Sequence, residues 1–194
     1  EYAPSFIPST DKVAYLAPDA DGAMQLWMMN ADGSPRKQIS FEATDVNDYL
    51  FSPCGKKVIL VKTITHEKSV KQNDDNLQLT TGIVANDLIY KHWDHYTTSA
   101  PHPFVAEFDG NKVGESKDLL EGEPYECPML PFGGVEQLAW SPDSKQIAYT
   151  CRKLSGLDYA ISTDSDIYLY DLETGAVKNL CKPEGYVRPA CDPT

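Results

Sequence analysis

The sequence predicts an all-β fold, a partial β-propeller of about three four-stranded blades, on the strength of three observations. An aromatic residue, a proline two positions later, a polar turn and a β-rich apolar run recur without a gap from Phe6, Phe51 and Trp140. These starts lie 45 and then 89 residues apart, close to one and two periods of a propeller blade. Each repeat is followed by further short apolar runs separated by turn residues, as in a four-stranded blade.

The third repeat is the most regular. Strands are predicted at 137–140, 146–152, 166–171 and 176–180, with apolar residues alternating along the second of them. The turn at 141–144 contains Pro, Asp and Ser, which favour a tight reversal because Pro presets φ and the other two bond back to the backbone. Four short antiparallel strands of this kind make one blade.

The first and second repeats follow the same order. In the first, strands are predicted at 12–16, 24–29 and 36–39; in the second, 103–108 and 117–120 occupy the later positions. One glycine in each repeat falls where a hairpin needs a positive φ. These glycines are Gly33, Gly110 and Gly175. A β-sandwich also has regularly spaced strands, but it does not need the same turn at multiples of 45 residues.

We therefore expect blades at about 1–40, 47–120 and 137–180, with 181–194 beginning the next blade. The second blade contains an insertion at 63–101. Three blades do not close a ring, so we expect the chain to be part of a larger propeller. The two open blade faces predict self-association of the isolated chain, through apolar surface left in water.

The insertion is polar at first and then aromatic, and we expect it to be partly helical. Asn86 or Asp87 can cap a short helix, on which Ile89, Trp93 and Tyr96 share one face. A loop of this length in a compact repeat is usually functional or disordered, and its aromatic content argues against disorder. A degenerate blade is the alternative, although no aromatic-x-Pro turn occurs within it.

The repeat at 140–149, together with Lys-His-Trp-Asp at 91–94 leading to 101–105, resembles the propeller of prolyl-oligopeptidase-family serine peptidases. The closest resemblance is to the branch with dipeptidyl peptidase V and acylaminoacyl-peptidase-like enzymes. It implies a propeller that caps an α/β-hydrolase domain, gates access for a peptide substrate and helps to anchor the peptide N-terminus. It also favours a periplasmic or secreted location. Propellers of the Tol system have similar repeats, so a stand-alone binding or scaffold module is the alternative.

A protonated peptide N-terminus is a cation, which carboxylates hold well. Asp87 and Asp94 are therefore the candidate substrate-binding residues, with Tyr90, His92 and Trp93 as hydrogen-bonding or stacking neighbours. The alternative role for the aromatic residues is to pin the insertion to its blade. Adjacent glutamates, which related dipeptidyl peptidases use, do not occur in the insertion.

A metal site is a further alternative. His92, Asp94, His95 and His102 lie close together in sequence, and imidazole with carboxylate suits zinc. The HExxH arrangement is missing, however, and we expect neither a metal nor another cofactor.

Charge and motifs narrow the classes of function. A formal charge of −12 argues against nucleic acid or an anionic membrane as partner and is compatible with a cationic one. The sequence contains no G-x-S-x-G nucleophile elbow, so we expect no catalytic residues and no peptidase activity from this chain alone. Cys181 and Cys191 flank a loop and are either disulfide-bonded or free, whereas Cys151 is expected to be a small buried apolar residue.

Overall fold

A computed structural model describes residues 1–65, 75–77, 79–82, 99–154 and 156–182 of the chain. Within these ranges, twelve strands form three antiparallel sheets of four strands, each sheet built from consecutive strands in order. The fold is a partial β-propeller, and the three sheets are its blades. No helix in the described part of the chain has the length and apolar character needed to cross a membrane.

The strands of blade 1 are β1 (Tyr2–Phe6), β2 (Lys12–Pro18), β3 (Met24–Asn30) and β4 (Lys37–Gln38). Those of blade 2 are β5 (Val46–Phe51), β6 (Lys57–Thr65), β7 (Ser99–Glu107) and β8 (Lys117–Asp118). Those of blade 3 are β9 (Leu138–Trp140), β10 (Gln146–Cys151), β11 (Asp166–Asp171) and β12 (Val177–Asn179). A short helix, α1 (Gly156–Ile161), lies between β10 and β11, and 3₁₀ turns span Asp75–Leu77 and Val135–Gln137.

Strand β6 shows how the blades stack. Its side chains alternate between the two faces of the sheet. Val58 and Leu60 belong to the buried cluster shared with blade 1, while Ile59 and Val61 belong to the cluster shared with blade 3. The middle sheet is therefore covered by a different sheet on each face, which is the radial stacking of a propeller and not the two layers of a sandwich.

Hydrogen bonds also cross both blade interfaces. The hydroxyl of Tyr49 in blade 2 donates to the carbonyl oxygen of Ala14 in blade 1 at 2.7 Å. The indole Nε1–H of Trp140 in blade 3 donates to the carbonyl oxygen of Leu50 in blade 2 at 3.0 Å. Each blade interface thus combines apolar packing with hydrogen bonds that fix the position of one blade against the next.

The blades have two distinct ends. Because every sheet is an antiparallel meander, the turns after its first and third strands lie at one end, which we call the turn end. The connections after the second and fourth strands lie at the other end, the linker end. At the turn end, adjacent blades touch through their first turns: the Cys54 backbone N–H donates to Ser144 Oγ at 3.1 Å.

Turn residues predicted from the sequence have the expected roles. Gly33, Gly110 and Gly175 all have positive φ, at 90°, 91° and 72°. The carboxylate of Asp171 accepts from the backbone N–H groups of Glu173 and Thr174, and these bonds lower the pKa of Asp171. Similar turn contacts hold Asp32 and Asp143.

The ladder between β6 and β7 extends beyond the predicted limits of the insertion, since Thr65 pairs with Ser99. Pro101, the predicted C-terminal limit of the insertion, lies within β7. Its carbonyl oxygen accepts from Cys127 N–H and that of Pro103 accepts from Leu119 N–H, so both prolines turn their backbone polar atoms away from β6. A proline in that orientation removes no bond from the β6 ladder.

Cys151 is fully buried, as expected. Cys181 is a free, exposed cysteine whose sulfur accepts from the Ile167 backbone N–H at 3.3 Å. Its possible partner, Cys191, lies outside the described residues.

Candidate functional site at the root of the insertion

The five candidate substrate-binding residues all belong to the insertion. Asp87, Tyr90, His92, Trp93 and Asp94 lie outside the described residues, as does His95 of the alternative metal site. The structure describes instead where the insertion is anchored. The chain leaves blade 2 at Thr65 and rejoins it at Ser99, and these two residues are paired across neighbouring strands at the linker end.

A groove lies beside this anchor point. It consists of two adjoining cavities of about 570 and 620 Å³, which share Glu115 and Ser116 in their walls. Ile64, the neighbour of the last paired residue Thr65, lines the second cavity, and Lys62 lines the first. The groove is thus formed by β6, which leads into the insertion, by β7, β8 and the connection between them, and by the linker between blades 1 and 2.

The most buried charge in the groove is the ammonium group of Lys62. Its Nζ donates to Glu42 Oε2 at 2.6 Å and to Ser116 Oγ at 2.8 Å, and it lies 3.8 Å from the centre of the Phe104 ring. The side chains of Lys62 and Glu42 are only 11% and 15% exposed. Because so little solvent reaches this ion pair, its stability depends on its geometry and hydrogen bonds more than on the long-range charge attraction that dissolved salt screens.

Sequence reasoning missed Lys62, although the signal was present. Val58, Leu60 and Lys62 occupy alternate positions of β6, so they share the face that packs against blade 1. A lysine that continues a core-facing row needs a carboxylate partner nearby. Glu42 supplies it from the linker between blades 1 and 2, and no sequence pattern predicts that pairing because the two residues lie 20 positions apart on different elements.

His102, which was considered as a metal ligand, is fully buried on β7. Its Nδ1 lies 2.9 Å and 3.1 Å from the two carboxylate oxygens of Asp118 on β8. Within the described ranges, no group of three or more His, Cys, Asp or Glu side chains is arranged to hold a metal ion. His102 therefore acts in this structure as a partner of Asp118 that ties β8 to β7.

Carboxylates outnumber ammonium groups along the groove. The acidic side chains that line it are Glu42, Glu107, Asp109, Glu115, Asp118 and Glu121, and the basic ones are Lys62, Lys112 and Lys117. The backbone N–H groups of Lys112 and Asn111 bond to Asp109 and lower the pKa of its carboxyl, which keeps it ionised. Glu107, Asp109 and Lys112 lie toward the turn end, so the negative potential extends along the whole groove, where it attracts cations.

Comparison with known proteins identifies the chain. It is 43% identical over 180 residues to dipeptidyl-peptidase 5 of Porphyromonas gingivalis, a match that covers 93% of this chain and 26% of the relative. It is 40% identical over 178 residues to dipeptidyl-peptidase 5 of Porphyromonas endodontalis, covering 92% of this chain and 26% of that protein. This chain belongs to the dipeptidyl-peptidase 5 branch of the prolyl oligopeptidase family. No family model matches it.

This chain spans about a quarter of the length of these curated relatives. Among solved structures, acylaminoacyl peptidase of Pyrococcus horikoshii superposes with a TM-score of 0.57 at 16% identity, over 92% of this chain and 25% of that one. At this identity the likeness concerns the fold. The resemblance to a propeller portion of this peptidase family, predicted from the repeat and the insertion, is confirmed.

Proposed function

We propose that this chain is the access-controlling and substrate-anchoring propeller portion of a serine exopeptidase. In this proposal a separate α/β-hydrolase domain of the parent protein carries out the chemistry. The propeller restricts entry to short peptides and holds the substrate's N-terminus. The observation that carries the proposal is the 43% identity to a protein named dipeptidyl-peptidase 5 across nearly the whole chain.

The charge of the described residues supports the anchoring role. The groove at the root of the insertion is lined by six carboxylates and three ammonium groups, and the chain as a whole carries a charge of −12. A protonated peptide N-terminus approaching this groove therefore meets a favourable field before it is bound. Asp87 and Asp94 are proposed to hold it directly, with Tyr90, His92 and Trp93 beside them.

Kinetics of the full-length peptidase test this role. Asp94→Asn, and separately Asp87→Asn, is expected to lower kcat/KM for a dipeptidyl reporter about 10- to 100-fold, the loss that follows from removing one charge-assisted hydrogen bond. The same reporter with an acetylated N-terminus carries no cation. For this reporter, the kcat/KM of each variant should therefore stay within about twofold of the wild-type value.

Asp32→Asn is the matched control, since Asp32 is a turn residue at the opposite end of blade 1 and bonds to its own turn at Ser34. Equal losses on the free and acetylated reporters, or no loss in either insertion variant, would contradict N-terminal anchoring by these carboxylates.

A further inference from the structure

The ion pair between Lys62 and Glu42 joins two blades at the linker end. The backbone N–H of Glu42 donates to Gln25 Oε1 at 3.0 Å, and its carbonyl oxygen accepts from Gln25 Nε2 at 3.0 Å. Gln25 lies on β3 of blade 1 and is fully buried. The carboxylate of Glu42 accepts from Lys62 on β6 and from Ser116 just before β8, both in blade 2. One blade therefore holds the main chain of Glu42 and the next blade holds its side chain.

A second ion pair joins blade 2 to blade 3 in the same way. Glu123 lies in the linker between these blades, in a stretch bonded to β7 of blade 2 through the backbone N–H groups of Leu119 and Cys127, at 3.0 and 2.9 Å. Its carboxylate contacts Lys153, two residues beyond the end of β10 in blade 3. Lys153 Nζ donates to Glu123 Oε1 at 2.8 Å and lies 2.6 Å from Oε2. This linker residue is thus also held by two blades.

Both lysines lie over an aromatic ring of their own blade. Lys62 Nζ is 3.8 Å from the centre of the Phe104 ring, and Lys153 Nζ is 4.6 Å from the centre of the Tyr168 ring. The two aromatic residues are equivalent, because their partners on β6 and β10 lie 89 positions apart, the spacing of the repeats. A ring face attracts a cation. Each ammonium group is therefore held between a carboxylate of the preceding linker and a ring on the third strand.

The two lysines, in contrast, occupy different positions in their repeats. Cys151 stands in blade 3 where blade 2 has Lys62, and Lys153 follows two residues later. The arrangement of carboxylate, ammonium group and ring is thus formed twice from lysines at different positions. It is not a simple consequence of repeated sequence.

We propose that these two ion pairs are clamps that hold neighbouring blades together at the linker end. The first clamp, Glu42 with Lys62, acts on the interface between blades 1 and 2. The second clamp, Glu123 with Lys153, acts on the interface between blades 2 and 3. This role is independent of peptide anchoring by the insertion.

The burial of the charges explains why each clamp controls its own interface. The lysine and glutamate side chains are 11% and 15% exposed in the first clamp and 17% and 34% exposed in the second. To separate two blades at this end, the ammonium group must leave its carboxylate in a place that water reaches poorly. A charge left there without its partner is costly. Opening of each interface is therefore limited by its own ion pair.

Hydrogen exchange of backbone amides in the full-length peptidase, followed by mass spectrometry, tests the clamps, because amides that exchange through a local opening report that opening. Lys62→Met should raise exchange rates in 41–46 and at Val113, whose N–H donates to the Ile39 carbonyl oxygen across the first interface. The expected rise is roughly 10- to 100-fold, the effect of losing a hydrogen bond to a charged group. Lys153→Met should have a similar effect in 120–127. Each variant should leave the other interface within about twofold of wild type, because the clamps share no residue.

Two further variants complete the test. Glu42→Gln removes the charge from the other side of the first clamp with little change of shape, so it should reproduce the local effect of Lys62→Met. Arg36→Met is the matched control, since it removes an ion pair with Glu1 inside blade 1 whose side chains are 57% and 54% exposed; exchange at both interfaces should stay unchanged. Equal rises at both interfaces in Lys62→Met, an equally large effect of Arg36→Met, or no rise in Glu42→Gln would each overturn the proposal.

Discussion

At the residue scale, Gly55 is constrained more tightly than the other turn glycines. It has a φ of +66°, and a Cβ added there would lie 2.5 Å from the carbonyl oxygen of Pro8 in the neighbouring blade. Gly55→Ala should lower the free energy of unfolding by about 1–2 kcal/mol for the left-handed backbone and by roughly a further 1–3 kcal/mol for the overlap. Gly33→Ala, with φ +90° and nothing near its Cβ, should show the backbone cost alone in urea unfolding. Equal losses in the two variants would contradict a tight contact between the first turns.

The thiol of Cys54 is the second residue with a specific environment. Hydrogen bonds from the Ser144 and Ser52 hydroxyls lower the pKa of Cys54 to about 7, and the side chain is exposed. Its alkylation by iodoacetamide should therefore rise with a midpoint near pH 7, because the thiolate is the reactive form. Burial raises the pKa of Cys151 to about 12, so Cys151 should stay unmodified under the same conditions. Ser144→Ala should move the Cys54 midpoint upward; an unchanged midpoint would exclude this cause.

At the element scale, strand β6 connects the core to the groove through Lys62. Glu42→Gln removes the carboxylate that pairs with the buried ammonium group of Lys62. This change should lower the free energy of unfolding by about 3 kcal/mol. Replacing both partners, Lys62→Met with Glu42→Gln, removes the charge as well as its partner and should restore most of that loss. A double-mutant cycle by urea unfolding measures the coupling. A Glu42→Gln loss below about 1 kcal/mol would show that Ser116 and the Phe104 ring suffice to hold the ammonium group.

At the scale of the whole molecule, the blades share one contact scheme that is repeated along the chain. Val58 and Leu60 face one neighbour while Ile59 and Val61 face the other, so a single strand contributes to both buried clusters. The same scheme applied to the outer blades leaves Phe6 and Ile167 in solvent. A further blade stacked in the same way on either outer face would bury those side chains.

The local sequence was sufficient to predict the blades. The aromatic-x-Pro turns, the hairpin glycines and the alternating apolar residues of β10 act over a few neighbouring residues, so strand order and turn positions follow from short-range chemistry. The family could also be predicted, because the repeat and the insertion are continuous stretches. The residues that line a site were harder to predict from the sequence. Glu42 contacts Lys62, and His102 contacts Asp118, only after separate segments of the chain have packed together.

The sequence by itself therefore determined the order of strands and turns, because alternating apolar residues and turn residues act on their immediate neighbours and need no distant partner. Tertiary structure alone decided that Lys62 is paired with a carboxylate from the linker, that the first turns touch through Gly55, and that Phe6 is exposed while Phe51 is buried. The physical reason is that burial and charge pairing depend on which surfaces meet. In a propeller these surfaces belong to residues tens of positions apart.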